Sequence, residues 1–225
     1  NTVFSLGIMS QYMNYNSVTA LVSREVSKGK LKLLRLANVI VEVVDEPICP
    51  DPGNPTGAIW QAKKRHNLND EINLGQYDNM ANPGSHYDYT GPQIFRQLSG
   101  KVDVFAAGLG TTGTLVGVGS YLRGQNERIH IIGVTRMPNN SVPGVRTRHL
   151  LKEVQFEWGN LVDNAIDITQ IESYEMSLKM IRLGLLVGPS SGFALAGLYK
   201  GIDNLIKNNK IDKNSITNAV FICPD

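Results

Sequence analysis

The sequence has little of several things, and each shortage removes a class of function. There are only 2 cysteines, Cys49 and Cys223. That is too few for a disulfide framework or a thiolate zinc site. No apolar run approaches the ~18 residues of a membrane-spanning helix. Asn1 to Ser5 carry no basic stretch, so no signal peptide is expected. Neither sign of charge dominates: Lys plus Arg is 22 against 20 for Asp plus Glu, a net +2. Nothing in that balance points to a nucleic acid or an anionic membrane as partner. The sequence also lacks His-Glu-x-x-His and Cys-x-x-Cys. His66, His130 and His149 show no metal-ligand spacing, so no metal site is expected. There is no repeat of fixed period and no low-complexity stretch. What remains is an ordinary globular composition, 42% hydrophobic and 19% charged over 225 residues. At ~150 residues per domain that is one large domain or two small ones.

Short β-branched runs alternate with amphipathic segments. Strands are predicted at Ser17–Val22, Val39–Val44, Val102–Ala107, Ile129–Val134, Leu185–Val187 and Ala219–Ile222. Helices are predicted at Lys28–Leu36, Leu115–Leu122, Ile171–Leu183 (ended by Gly184) and Phe193 to about Ile206. Short apolar strands separated by helices imply mostly parallel sheets buried between helices, an α/β fold. Pro47 to Gly57 is a Pro/Gly-rich loop. The polar stretch Gln76–Pro92 reads as a domain crossing. Met137–Asn164 reads as a long excursion over the surface.

The sharpest local signal is Gly108-Leu109-Gly110-Thr111-Thr112-Gly113-Thr114, set between a strand and a helix. Its glycines let N–H groups converge, the helix start adds partial positive charge, and three hydroxyls add donors. Such a loop can cradle a dianionic phosphate without Lys or Arg. It can also be a turn that packs a helix close to a sheet. The same residues match Gly-x-Gly-x-x-Gly. However, the next strand runs into Thr135-Arg136 with no acidic residue for ribose hydroxyls, which weakens a dinucleotide reading. Arg136 leaves an NADP-dependent oxidoreductase as an alternative. Gly188-Pro189-Ser190-Ser191-Gly192 is a second strand–loop–helix unit. It is either a polar ligand site or a helix capped by one of its serines. His86 is the only histidine near this chemistry, and no carboxylate or nucleophile stands beside it in sequence, which favours a structural role.

Several of these segments together resemble the cysteine synthase family of pyridoxal phosphate enzymes, and Gly108-Leu109-Gly110-Thr111-Thr112 with Ser85-His86-Tyr87 upstream is most like the branch that includes O-phosphoserine sulfhydrylases. Asn79-Met80-Ala81-Asn82-Pro83 is similar to the family's NPANP turn, and Thr90-Gly91-Pro92-Gln93-Ile94 to its TGPEI helix start. Val102 to Thr114 resembles its strand and Gly/Thr phosphate loop, and Gly188–Gly192 its GISSG segment. Asn1-Thr2 resembles the end of its TSGNT substrate loop. Phe221–Pro224 is similar to the strand before the serine that meets the pyridine nitrogen.

The resemblance implies two three-layer αβα domains with mostly parallel sheets, the chain being incomplete at both ends. Residues 1–76 would be the remainder of a smaller mobile domain and 77–225 the larger cofactor-binding domain. It implies pyridoxal 5′-phosphate as cofactor, its phosphate held by Gly110, Thr111, Thr112, Gly113 and Thr114. Asn1 would bond the cofactor's 3′-oxygen, and Ser190 would lie near its ring. Thr2 and Gln76 would face the substrate carboxylate. The segment Ser141–Arg148 departs from the best-known acetylserine enzymes of that family, and its Arg146 and Arg148 fall where guanidinium groups could meet a substrate phosphate, unless this segment is a solvent-exposed basic loop. The Schiff-base lysine is expected upstream of Asn1. Gly53–Trp60 has similar letters to the lysine motif but stands in the wrong place. The implied activity is β-replacement on O-acetylserine or O-phosphoserine with a sulfur donor, giving cysteine, in a cytoplasmic homodimer. Alternatives are a cystathionine β-synthase or diaminopropionate type of enzyme, or a lysine-less non-catalytic homologue.

Overall fold

The computed structural model describes residues 2–24, 26–45, 53–66, 68 and 71–224. Asn1 and much of the Pro47–Gly57 loop lie outside them. The chain divides into two compact units, Asn1–Gln76 and Tyr77–Asp225.

In the first unit, α1 (Thr2–Tyr12), β1 (Thr19–Ser23), α2 (Lys28–Leu36), β2 (Ile40–Val44) and α3 (Ala58–Arg65) follow in order. The strands β1 and β2 pair in parallel, Thr19 opposite Ile40 and Ser23 opposite Val44. Helix α2 is the crossover between them, which a parallel pair requires. Ser27 caps it by accepting from the Lys30 N–H, and its Leu34 is buried. Ala20, Leu34, Ala37 and Val39 form the small core, with Val3 and Phe4 of α1 against it. Gly7 sits where any Cβ would press on Val39 and come within 3.0 Å of the Ala37 carbonyl. Arg65 of α3 forms a bidentate pair with Glu42 of β2, at 3.1 and 2.5 Å.

The second unit holds a fully parallel four-stranded sheet in the order β5-β4-β3-β6. Its strands are β3 (Val104–Gly108), β4 (His130–Arg136), β5 (Asn164–Ile168) and β6 (Ala219–Phe221). Alternation along β3 builds two cores. Phe105 and Ala107 meet Leu115, Val118 and Leu122 of α6 (Gly113–Gln125) on one face. Val104 and Ala106 meet Phe193, Leu198 and Leu205 of α8 (Pro189–Lys207) on the other. The sheet is therefore the middle of three layers, and its strands are apolar on both sides, as burial between helices demands. Helix α7 (Gln170–Arg182) opens with a reciprocal capping box between Thr169 and Glu172. It closes as predicted at Gly184, whose φ is +90°, with Gly184 and Leu185 N–H groups bonding the Ile181 and Met180 carbonyls.

Four expectations differ from the structure. Leu185–Val187 is irregular, because the sheet does not reach it: the Val187 and Pro189 carbonyls accept from the Ser177 and Ser173 hydroxyls of α7 instead. Gln76–Pro92 does carry the crossing between the units, at Gln76/Tyr77, but most of it is not the loop that its polar letters suggest. Helices α4 (Ala81–Ser85) and α5 (Gly91–Gln97) flank a π-helical turn over His86–Thr90, giving one helical run. Met137–Asn164 is not a surface excursion, since Val142, Arg146, Leu151, Val154 and Phe156 are buried. Strand β5 begins at its last residue, Asn164, on the sheet edge. Helix α8 starts at Pro189, four residues before the predicted Phe193. Among the described residues, no helix is long and apolar enough to cross a membrane, and no cluster of His, Cys, Asp and Glu is fit to hold a metal.

Candidate functional site

Strand β3 and helices α6 and α8 converge where the sheet's strands end. The strand order reverses at β3, since β4 follows on one side and β6 returns on the other. Crevices at such switch points, beyond the carboxyl ends of parallel strands, are where open α/β sheets bind ligands. The chain leaving β3 is held down at once. The Leu109 N–H bonds the Val134 carbonyl at 2.9 Å, and the Leu109 carbonyl accepts from the Arg146 N–H at 2.8 Å. Gly110 then passes so close to the 144–146 segment that a Cβ would stand 2.6 Å from the Gly144 carbonyl oxygen.

The turn into α6 is built residue by residue. The Thr111 hydroxyl oxygen accepts from Asn82 Nδ2 at 3.0 Å and from the Gly113 N–H at 3.4 Å. Thr112 is the N-cap residue of α6, with φ of +68°. That left-handed conformation is unfavourable for a β-branched residue, and such strain of about 1–3 kcal/mol collects at ligand clamps. Thr112 is only 3% exposed, and its hydroxyl has no hydrogen-bond partner among the described residues. An orphaned buried hydroxyl costs about 1–3 kcal/mol, which a bound acceptor would recover. Gly113 is the first helical residue. A Cβ there would collide with the Asn82 side chain, 2.5 Å from its Cγ and 2.7 Å from its Nδ2. Thr114 follows in the first turn, where helix N–H groups lack intrahelical acceptors and the dipole favours an anion. The loop thus suits a phosphate group without any cationic side chain.

The helical run from Ala81 forms the wall behind this loop. Asn82 reaches Thr111 from α4. His86 of the π turn lies between two hydroxyls, 3.0 Å from Thr90 Oγ1 by Nδ1 and 3.1 Å from Thr114 Oγ1 by Nε2. Burial lowers the pKa of His86 from its ordinary value, which keeps the ring neutral. Asn82 belongs to no catalytic or binding pattern in the sequence. Its only sequence signal was its place in the Asn-rich turn.

Arg146 is 7% exposed, so it is no solvent-exposed basic residue. Its guanidinium lies over the Tyr77 ring, 4.6 Å from the centroid, and Nη2 has no hydrogen-bond partner among the described residues. Arg148 is more exposed and pairs with Asp167 at 3.1 Å. The two arginines are therefore in different environments. Ser190 and Ser191 occupy the first turn of α8 after the N-cap Gly188, so neither serine is the cap. Ser191 is fully buried, and Gly192 packs against the α7 backbone, 2.9 Å from Ser177 Cα for a Cβ built there. A Cβ built on Gly108, at the end of β3, would stand 3.3 Å from the Phe193 ring of the same helix.

In the first unit, the Thr2 hydroxyl donates to Gln76 Oε1 at 2.7 Å, so the structure brings those two predicted residues together. Asn1 is outside the described residues.

The family model described as "Pyridoxal-phosphate dependent enzyme" matches residues 1–225. The chain is 38% identical to cysteine synthase B of Salmonella typhimurium over 128 residues, 56% of this chain and 42% of that protein. It is 27% identical to cystathionine beta-synthase of Saccharomyces cerevisiae over 240 residues, covering 98% of this chain and 46% of that protein. The chain thus spans less than half the length of these curated relatives. A crystal structure of a hydrogen sulfide-producing enzyme from Fusobacterium nucleatum superposes with a TM-score of 0.80, at 20% identity. It covers 98% of this chain and 72% of that one, and the likeness establishes a shared fold.

Proposed function

The chain belongs to the pyridoxal-phosphate-dependent enzyme family, and on that premise we propose that it serves β-replacement on an O-activated serine, with a sulfur nucleophile giving cysteine. The observation that carries the cofactor side of this reading is the buried Thr112 hydroxyl, without a hydrogen-bond partner among the described residues, in a strained turn at the head of α6. Together with the close-packed Gly110 and Gly113, it fits the phosphate of pyridoxal 5′-phosphate. Gly110, Thr111, Thr112, Gly113 and Thr114 are the residues proposed to hold that phosphate, by backbone N–H groups and hydroxyls. When bound, the cofactor supplies an electron sink for charge developing at the substrate's α-carbon.

The protein's share is binding and orientation. Ser190, in the first turn of α8, is the proposed neighbour of the cofactor ring, and Asn1 the partner of the 3′-oxygen. Thr2 and Gln76, already hydrogen-bonded to each other, are the proposed contacts for the substrate carboxylate. Arg146 is held by Tyr77 and retains donor capacity at Nη2, which suits a phosphate leaving group on the substrate. Tyr77–Asp225 is assigned as the cofactor-binding domain, and Asn1–Gln76 as the remainder of a smaller one. A cytoplasmic homodimer is part of the same reading.

The test is cysteine formation from sulfide with O-acetylserine or O-phosphoserine by the intact protein, with its Schiff-base lysine, loaded with pyridoxal phosphate. Cysteine from at least one of them is expected. An Arg146→Ala variant is expected to lose O-phosphoserine turnover selectively. No cysteine from either substrate overturns the reaction, and equal loss on both substrates overturns the role of Arg146.

A further inference from the structure

His86 joins two hydroxyls in a way that gives its ring a task beyond filling space. It stands in the π turn, with Thr90 Oγ1 3.0 Å from Nδ1 and Thr114 Oγ1 3.1 Å from Nε2. The ring cannot easily withdraw. Helix α6 carries Gly117 beneath it, where a Cβ would lie 2.6 Å from His86 Cβ and 2.9 Å from the Tyr87 nitrogen. The two helical segments are therefore in backbone contact, and the bridge is built into that contact. Single π turns inside longer helices recur at functional sites because they re-aim side chains.

A neutral imidazole has one N–H and one bare nitrogen, whereas each threonine hydroxyl has one proton and can donate or accept. Burial disfavours the charged ring, so the neutral form governs. Two arrangements then satisfy both bonds. In the first, Nδ1–H donates to Thr90 and the Thr114 hydroxyl donates to Nε2. The only Thr114 hydroxyl proton is then committed to the ring, and lone pairs face the head of α6. In the second, Thr90 donates to Nδ1 and Nε2–H donates to Thr114. The Thr114 proton is then available to an anion in front of the helix. Only the second arrangement suits a phosphate at Gly110–Thr114.

We propose that His86 is a positioning residue, held by Thr90 in the Nε2–H tautomer so that the Thr114 hydroxyl proton is directed at the cofactor phosphate. This rests on the reading of Gly110–Thr114 as the phosphate cradle. His86 touches neither cofactor nor substrate in this arrangement. It acts through Thr114, and Thr90 acts through His86.

The experiment is in two parts. Nitrogen-15 NMR of the protein with pyridoxal phosphate bound reports the His86 tautomer directly. A bare Nδ1 with a protonated Nε2 is expected, and the opposite assignment overturns the proposal. In the second part, affinities for pyridoxal phosphate and for pyridoxal, which lacks the phosphate, are measured in the unsubstituted protein, Thr90→Val and Thr90→Ser. Thr90→Val is expected to weaken pyridoxal phosphate by about tenfold, the scale of one hydrogen bond, and to leave pyridoxal unchanged. Thr90→Ser is expected to restore the affinity. Equal weakening of both ligands marks Thr90 and His86 as merely structural and overturns the proposal. If the unsubstituted protein binds pyridoxal phosphate no more tightly than pyridoxal, the cradle reading fails and takes this proposal with it. Should Thr90→Val not fold, the tautomer measurement still decides.

Discussion

Replacing Gly113 by Ala adds one methyl group at the tightest point of the phosphate loop. All three atoms nearest to the new Cβ belong to one side chain, that of Asn82, and none lies beyond 2.7 Å. Asn82 therefore has to move, and moving breaks its 3.0 Å bond to Thr111. Overpacking of this kind costs about 1–3 kcal/mol, and the lost hydrogen bond about 1 kcal/mol. The better helix propensity of Ala returns up to about 1 kcal/mol, less at a first-turn position than inside a helix. A net loss of about 2 kcal/mol is expected in urea unfolding. Asn82→Ala alone is expected to cost about 1 kcal/mol. In the double variant the clash has no object, so about 1 kcal/mol is expected in place of the additive 3, a coupling of about 2 kcal/mol. Additive losses would refute the reasoning, because they would mean that Asn82 is not what Gly113 must avoid.

Two further outcomes follow from the packing and charges of the second unit. Gly192→Ala is expected to lower stability by 3 kcal/mol or more in thermal unfolding, at the top of the range for overpacking, since the atoms it meets are backbone of Ser173 and Ser177 and cannot swing aside. An unchanged midpoint would contradict that packing. Burial by itself would raise the Glu172 pKa, but bonds from Lys200 and Thr169 outweigh it and hold the carboxyl below its ordinary value. Its contribution to stability is therefore present above the unfolded carboxylate pKa and lost as pH falls through the lower folded value. Glu172→Gln is expected to flatten the acid limb of stability below about pH 4.5, the ordinary carboxylate value, and an unaltered limb would contradict it.

The parallel sheet was legible where strands are buried on both faces. Val104–Ala107 and Ile131–Val134 carry unbroken apolar letters because helices cover both sides. Strand β5 was not legible, for it is an edge strand whose Asn164 and Asp167 interrupt the run. The helical run from Ala81 to Gln97 was hidden by Pro83, Gly84, Gly91 and Pro92, apart from the helix start that the resemblance implied at Thr90–Ile94. Pro83 falls in a first turn, where no N–H is needed. Pro92 has no N–H to bond back to Asp88, and the wider π turn stands where its ring would press on that carbonyl. The first turn of α8 was read as loop because Pro, Ser and Gly are turn residues. Pro189 instead suits a helix start, and Gly192 is required by the backbone of α7. For the site, the Gly/Thr loop was visible as a pattern. The Asn82 and His86 contacts were not, because they span 29 and 28 residues and depend on the π turn.

The most direct measurement of the central claim is the affinity ratio of pyridoxal phosphate to pyridoxal, taken in the unsubstituted protein and in Thr112→Val. The substitution keeps the β-branched shape at φ +68° and replaces only the buried hydroxyl, which has no hydrogen-bond partner among the described residues. A large ratio is expected in the unsubstituted protein. In the variant that ratio should fall about tenfold, with unliganded stability unchanged or higher by about 1 kcal/mol. A ratio that survives Thr112→Val intact would contradict the assignment of the loop at the head of α6 as the phosphate site.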